Sequence, residues 1–205
     1  MELKGKNISF KYRNNKEILK DLNISIKSGE VIGLVGNSGS GKSTLSKILA
    51  GYIDKNKFKG KVTIDGLNIP KKGFNPVQLI FQHPEKTMNP KWKMRDILFE
   101  SWGVDENLIE EFGIQKSWFD RWPNELSGGE LQRFSVLRAL SPNTQFLIAD
   151  EITTMLDAVT QVQIWDIVIN IVKKRNIGML VVSHDKELIN KICDNVVYLD
   201  DINNI

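Results

Sequence analysis

Eight residues, GNSGSGKS from Gly36 to Ser43, constrain the fold more than any other stretch of the chain. They satisfy the spacing G-x-x-x-x-G-K-[ST] at every fixed position. An apolar run, VIGLV, leads into them, and a helical pattern follows from about Lys42 to Ala50. That order is a strand, a loop and a helix, the repeating unit of a parallel α/β sheet. Glycines in the loop let the backbone turn so that successive N–H groups face one point. The helix that starts near Lys42 adds its positive end. A phosphate chain is what such a loop accepts. The expected nucleotide contacts are therefore Gly36, Asn37, Ser38, Gly39, Ser40, Gly41, Lys42, Ser43 and Thr44. Lys42 reaches the β- and γ-phosphates, and the Ser43 hydroxyl ligates Mg²⁺. The loop predicts ATP or a similar triphosphate and says nothing of what its energy drives.

A second apolar run supplies the acidic partner. FLIADE carries Asp150 and Glu151 at a strand terminus. Asp150 is placed to hold Mg²⁺ through water. Glu151, one residue on and facing the other way, is placed to polarise a water for attack on the γ-phosphate. Further strands read at ISFKY, with Ile8, Phe10 and Tyr12 on one side, and at LNISI, GKVTIDG, VQLIFQ, GMLVVSH and NVVYLD. Asn14 to Lys16 reads as a turn. Asp157 caps a long helix whose apolar face is expected to hold Val159, Val162, Trp165, Val168 and Val172. From about Lys91 to Trp122 the pattern changes. Alternation fades, helix-like patches appear at RDILFESW and ENLIEEFG, and four of the five tryptophans crowd together. The fold class is α/β: a mainly parallel sheet around the phosphate loop, an N-terminal antiparallel β-subdomain, and a small helical insertion at about residues 84–142 of a single domain, 1–205.

Composition excludes several classes. With 41% hydrophobic and 26% charged residues the chain can bury a core. A net charge of +3, with basic residues scattered among acids, predicts no nucleic-acid partner. One cysteine, Cys193, rules out an internal disulfide and reads as a small buried apolar residue. No apolar run nears the roughly 18 residues that cross a bilayer, so a membrane role is expected to be peripheral.

LSGGE, from Leu126 to Glu130, has no nucleophile and no ligand cluster, yet it opens a helix with a serine and two glycines. Such a helix start suits an anion. GNSGSGKS, LSGGE and FLIADE in that order, with Gln82 between the first two and His184 after the third, resemble the ATP-binding subunits of ABC transporters. LIFQHPEKTMNP and EITTMLDAVTQVQI narrow the resemblance to importer ATPases for oligopeptides, dipeptides and nickel or related metal chelates.

The resemblance implies roles residue by residue. Tyr12 would stack on adenine. Gln82 would contact Mg²⁺ and the attacking water, and His184 the γ-phosphate. Ser127, Gly128, Gly129 and Glu130 would close over ATP held by a partner subunit, and Asp157 would lie in the loop joining the two sites. It also implies the partners: a second ABC ATPase subunit in a heterodimer, with a homodimer as the alternative; integral-membrane permease subunits; and, indirectly, an extracytoplasmic solute-binding protein. The place implied is the cytoplasmic face of the membrane. A non-transport ABC ATPase of DNA repair, chromosome organisation or translation is the first rival, and a small-molecule kinase the second. Three departures stand out. Ile152 replaces the usual proline after the glutamate, Met155 is bulky for its loop, and Glu130 stands where glutamine is frequent. Tryptophans 92, 102, 118 and 122 are expected mostly to pack the helical unit, with one or two left as a docking patch. His83 reads as a loop residue.

Overall fold

The computed structural model describes the chain except residues 13–16, 71, 101, 154 and 155. The turn expected at Asn14 to Lys16, and Met155, lie outside the described residues. In chain order the strands are β1 (Glu2–Lys11), β2 (Glu17–Lys27), β3 (Val31–Val35), β4 (Lys59–Ile64), β5 (Leu67–Asn68), β6 (Val77–Ile80), β7 (Phe146–Asp150), β8 (Gly178–Val182) and β9 (Asn195–Tyr198). The helices are α1 (Lys42–Leu49), α2 (Met94–Phe99), α3 (Glu106–Glu111), α4 (Gly128–Ala139), α5 (Ala158–Lys174), α6 (Lys186–Ile192) and α7 (Leu199–Ile202). One sheet is antiparallel, in the order β2-β1-β4-β5; the other runs β6-β7-β8-β3-β9 with every pairing parallel.

Strands β3, β7 and β8 are buried along their whole length, as strands covered on both faces must be. Alternation splits their side chains between two cores. On β7, Leu147 and Ala149 join Phe134, Trp165 and Val168 on one side. Phe146 and Ile148 join Leu45, Ile48 and the inner face of the antiparallel sheet on the other. The parallel sheet is thus clamped between α4 and α5 on one face and α1 with the antiparallel sheet on the other.

In β1 the buried positions change parity, from Leu3 and Gly5 to Ile8 and Phe10. The switch falls at Asn7, whose φ is 52°, where the pairing with β2 and β4 slips. A bulge there adds one residue and turns the strand over. Tyr12 lies just beyond the strand end and is exposed.

Between β6 and β7 the described residues form α2, α3, α4 and short 3₁₀ turns, with no strand. Of the tryptophans here, Trp118 is buried against Phe134. Trp102 is half-buried, its indole N–H donating to the Arg138 carbonyl at 3.2 Å. Trp92 and Trp122 stay exposed, with the Lys93 ammonium 2.9 Å from the centre of the Trp122 ring. Packing accounts for two of the four.

The expected apolar face of α5 is corrected at its start. Val159 and Val162 are 69% and 47% exposed, while Ile164, Trp165, Val168, Ile171 and Val172 are buried. At roughly 100° per residue Val159 sits on the opposite side of the helix from Val168. Cys193 is only half-buried, though burial pushes its thiol up to about 12. Among the described residues no helix is long and apolar enough to cross a membrane.

Candidate functional site

Strand register gathers the site. Leu34 on β3 and Asp150 on β7 both pair with Val182 on β8. The three residues form one row, so the carboxylate and the start of the phosphate loop stand about 10 Å apart at the carboxyl edge of the sheet. Ser183 and His184 lie just past that row on β8. Gln82 lies two residues past β6, whose Ile80 pairs with Ala149; it does not end the strand itself. The carboxyl edge of a parallel sheet is where α/β proteins place ligands.

The loop before α1 is built tightly. Gly41 has φ 113°, and a β-carbon there would meet Ile18 at 2.8 Å, so only glycine fits. Lys42 is buried and folded back on the loop: its ammonium donates to the carbonyls of Gly36 at 2.7 Å and Asn37 at 2.9 Å. Thr44 is buried, and its hydroxyl lies 3.1 Å from the Tyr12 hydroxyl. Tyr12, edge-on to Phe10, is thereby held beside the loop with half its surface open.

Two buried oxygens mark where a ligand fits. Ser40 Oγ and Asp150 Oδ1 have no hydrogen-bond partner among the described residues. Asp150 is 5% exposed. Burial raises its carboxyl above the ordinary range; the Ser43 hydroxyl bond works against this, and the Glu151 charge adds to it. A buried carboxylate with a lone oxygen, beside a serine hydroxyl, is a donor set suited to a hard divalent cation such as Mg²⁺. Ser43, Gln82 and Asp150 line one cavity of about 500 Å³ together with Lys47, Tyr52, Phe81, His83, Lys86 and Thr87.

Glu151 begins the turn after β7 with φ 53°, and its N–H donates to the Val182 carbonyl at 3.0 Å. One carboxylate oxygen accepts from the Gln82 amide at 2.9 Å; the other lies 3.6 Å from His184 Nδ1. The three side chains expected around the γ-phosphate therefore meet at one carboxylate. Glu151 and His184 line a second cavity of about 270 Å³ with Thr153, Trp165 and Ser183. Ser127 lines neither cavity.

Ser127 caps α4. Its Oγ accepts from the Glu130 N–H at 3.3 Å, and its own N–H donates to Glu130 Oε2 at 2.7 Å. This reciprocal box gives Glu130 a capping role that glutamine could also fill. A β-carbon on Gly129 would touch Leu156 at 3.1 Å, which places the loop against the segment carrying Asp157. Asp157 caps α5, accepting from the Thr160 N–H at 2.9 Å, and that bond lowers its carboxyl from the ordinary value. His83 precedes a short 3₁₀ turn, its Nδ1 3.3 Å from Glu85. Sequence reading missed Lys47, Phe81, Thr153 and Trp165 as site residues, because nothing in their spacing shows which side chains turn into a cavity.

A phosphate loop, a strand-end Asp-Glu pair and a capped glycine helix on one parallel sheet define a nucleotide-hydrolysing P-loop protein. Residues 19–154 match the family described as ABC transporter, and the chain belongs to that family as an ATPase. The nickel import system ATP-binding protein NikE of Staphylococcus aureus (strain bovine RF122 / ET3-1) is 33% identical over 213 residues, covering 96% of this chain and 85% of that protein. NikE of strain N315 is 32% identical with the same coverage. The ATP-binding cassette MJ0796, in a dimeric post-hydrolysis state bound to ADP and Pi, superposes with TM-score 0.81 at 24% identity, over 96% of this chain and 93% of that one. An ATP-binding subunit of an ABC transporter gives TM-score 0.81 at 21% identity, over 97% and 85%. Both structures share the fold.

Proposed function

We propose that this chain is the ATP-hydrolysing subunit of an importer that takes up nickel or a metal chelate, with peptides as the alternative cargo, through a membrane permease. Similarity to NikE supports the importer and favours the metal. The observation that carries the catalytic reading is the meeting of Gln82 and His184 on the Glu151 carboxylate at the sheet edge.

In this reading ATP lays its phosphates in the loop from Gly36 to Thr44. Lys42 leaves the Gly36 and Asn37 carbonyls for the β- and γ-phosphate oxygens, a short swing because its ammonium already lies inside the loop. Ser40 Oγ finds an acceptor on phosphate. Ser43, Asp150 and Gln82 would hold Mg²⁺, which would supply neutralisation of the phosphate charge. Glu151 takes the proton of the attacking water, Gln82 shifts from Glu151 to orient that water, and His184 bonds the γ-phosphate. Tyr12 stacks on adenine. Ser127, Gly128, Gly129 and Glu130 close over ATP held by a second ABC ATPase subunit, and Asp157 lies at that contact. The insertion at about 84–142 transmits closure to the permease, with Trp92 and Trp122 on its exposed surface. An extracytoplasmic solute-binding protein delivers the cargo, and the chain works at the cytoplasmic face.

The test is Glu151→Gln with ATP and Mg²⁺ in the presence of the companion ATPase. Turnover is expected to fall by about 100-fold or more while ATP is retained and closed pairs accumulate on size exclusion. Wild-type turnover in this variant would place the base elsewhere. Loss of nickel uptake with peptide uptake intact, in cells lacking the chain, would fix the cargo; the reverse would move it to peptides.

A further inference from the structure

The residue after the glutamate is Ile152, which does not fix its own backbone as a proline would, so the stiffness of this turn has another source. Glu151 sits in the left-handed region, at φ 53°. That conformation is unfavourable for a residue with a β-carbon, and it persists only where the surroundings over-determine it. The two residues that follow are driven inward: Ile152 is 2% exposed and Thr153 is 4% exposed. Thr153 Oγ1 accepts from the indole N–H of Trp165 at 3.1 Å, and Trp165 is itself 3% exposed. The Thr153 carbonyl accepts from the Leu156 N–H at 3.0 Å, closing the turn. Trp165 belongs to α5, whose start is fixed by the Asp157 cap, so the bond ties the turn to a rigid body across 12 residues of sequence. Thr153, Trp165 and Glu151 line the same cavity.

We propose that Thr153 and Trp165 are positioning residues for catalysis: their buried hydrogen bond holds the turn so that the Glu151 carboxylate stays aimed at the attacking water. An indole N–H is a donor only, and a buried one needs its acceptor. The bond therefore forms one defined arrangement, where apolar packing of Ile152 alone would tolerate several. The proposal rests on the reading of Glu151 as the base, and the experiment separates the two.

Thr153→Val keeps the shape and removes the acceptor; Trp165→Phe removes the donor; Thr153→Ser keeps the hydroxyl. Each full-length variant is assayed with the companion ATPase for kcat and KM with ATP and Mg²⁺, and by itself for ATP affinity and melting temperature, with Glu151→Gln alongside. Thr153→Val and Trp165→Phe should each lower kcat by about tenfold, since small misplacements of a reacting group are costly. KM and ATP affinity should hold, Thr153→Ser should keep the wild-type rate, and the double variant should be no slower than either single one. If Trp165→Phe does not fold, the Thr153 pair decides alone. Rates of Thr153→Val within about twofold of wild type overturn the proposal, as does a fall in kcat matched by lost ATP affinity. Normal turnover by Glu151→Gln would instead remove the premise, and so identifies which of the two ideas failed.

Discussion

Replacing Asp150 by asparagine should stabilise the nucleotide-free protein while crippling its response to ATP and Mg²⁺. Asp150 is 5% exposed, and Oδ1 has no partner among the described residues. Burial raises its carboxyl above the ordinary value, against the Ser43 hydroxyl bond and the weaker pull of Lys47 and Lys42. With the folded value raised, the folded protein binds this proton more tightly than the unfolded chain. Stability is therefore lost as pH rises from the ordinary carboxyl value through the raised one. A buried acceptor left unsatisfied costs about 1–3 kcal/mol. Asparagine keeps an acceptor at the same place, so the recovery should lie near the lower end, about 1 kcal/mol. For a chain of this size that is about 2–4 °C in melting temperature.

Ligand reverses the order. Ligand at about 100 times its dissociation constant stabilises by about 2.7 kcal/mol. Wild type should gain that amount from ATP with Mg²⁺, and Asp150→Asn much less, because the amide is a poorer partner for a divalent cation. Melting curves from the ordinary carboxyl range up to about pH 8, with and without ATP and Mg²⁺, read both effects. Without nucleotide the variant should lead at neutral pH and lose its lead in acid. A variant that melts below wild type at neutral pH, or whose lead does not depend on pH, would refute the argument that this carboxylate is held at a cost for the sake of a cation.

Two further substitutions probe the loop and the capped helix. Lys42→Ala removes an ammonium bonded to two loop carbonyls and should abolish ATP turnover and weaken nucleotide binding, read by steady-state assay and titration; normal turnover would remove the loop assignment. Ser127→Ala should cost about 1 kcal/mol of stability through the lost cap, leave ATP binding by the single chain intact, and prevent ATP-dependent pairing on size exclusion.

The phosphate loop was legible because its chemistry is local: eight consecutive residues must supply the turn, the amides and the ammonium. Asp150 and Glu151 were legible for the same reason, since a buried strand reads as an apolar run and its acidic end is conspicuous. The bulge at Asn7 was not, because a single inserted residue leaves an alternating pattern on each side and only the change of parity betrays it. Val159 and Val162 misled because valine on the exposed side of the first two turns of α5 looks like valine on its buried face. The bonds from Gln82 to Glu151 and from Trp165 to Thr153 join residues 69 and 12 apart, and no periodicity encodes a contact between different elements.

The proposal that the chain is half of a site has consequences for the capped helix. Its own sheet edge gathers Lys42, Ser43, Asp150, Glu151, Gln82 and His184, and Ser127 lines neither cavity there. Ser127 and Gly128 are exposed at the start of α4. The serine oxygen accepts from the Glu130 N–H, which leaves its O–H as a donor, and the Ser127 N–H is spent on the Glu130 carboxylate. The amides of Gly128 and Gly129 belong to the first turn, where helix geometry supplies no intrahelical acceptor. Glu130 closes the box but adds negative charge at the helix start, which glutamine would not. An incoming phosphate must therefore overcome that charge with the dipole, the Ser127 O–H, the two glycine amides and its own bound cation. Binding at Ser127 should accordingly be weak toward free ATP and strong only toward a nucleotide already gripped, with Mg²⁺, by another subunit's phosphate loop. On this account Glu130 makes pairing depend more steeply on Mg²⁺ than glutamine would, and Glu130→Gln should relax that dependence without altering ATP binding to the single chain.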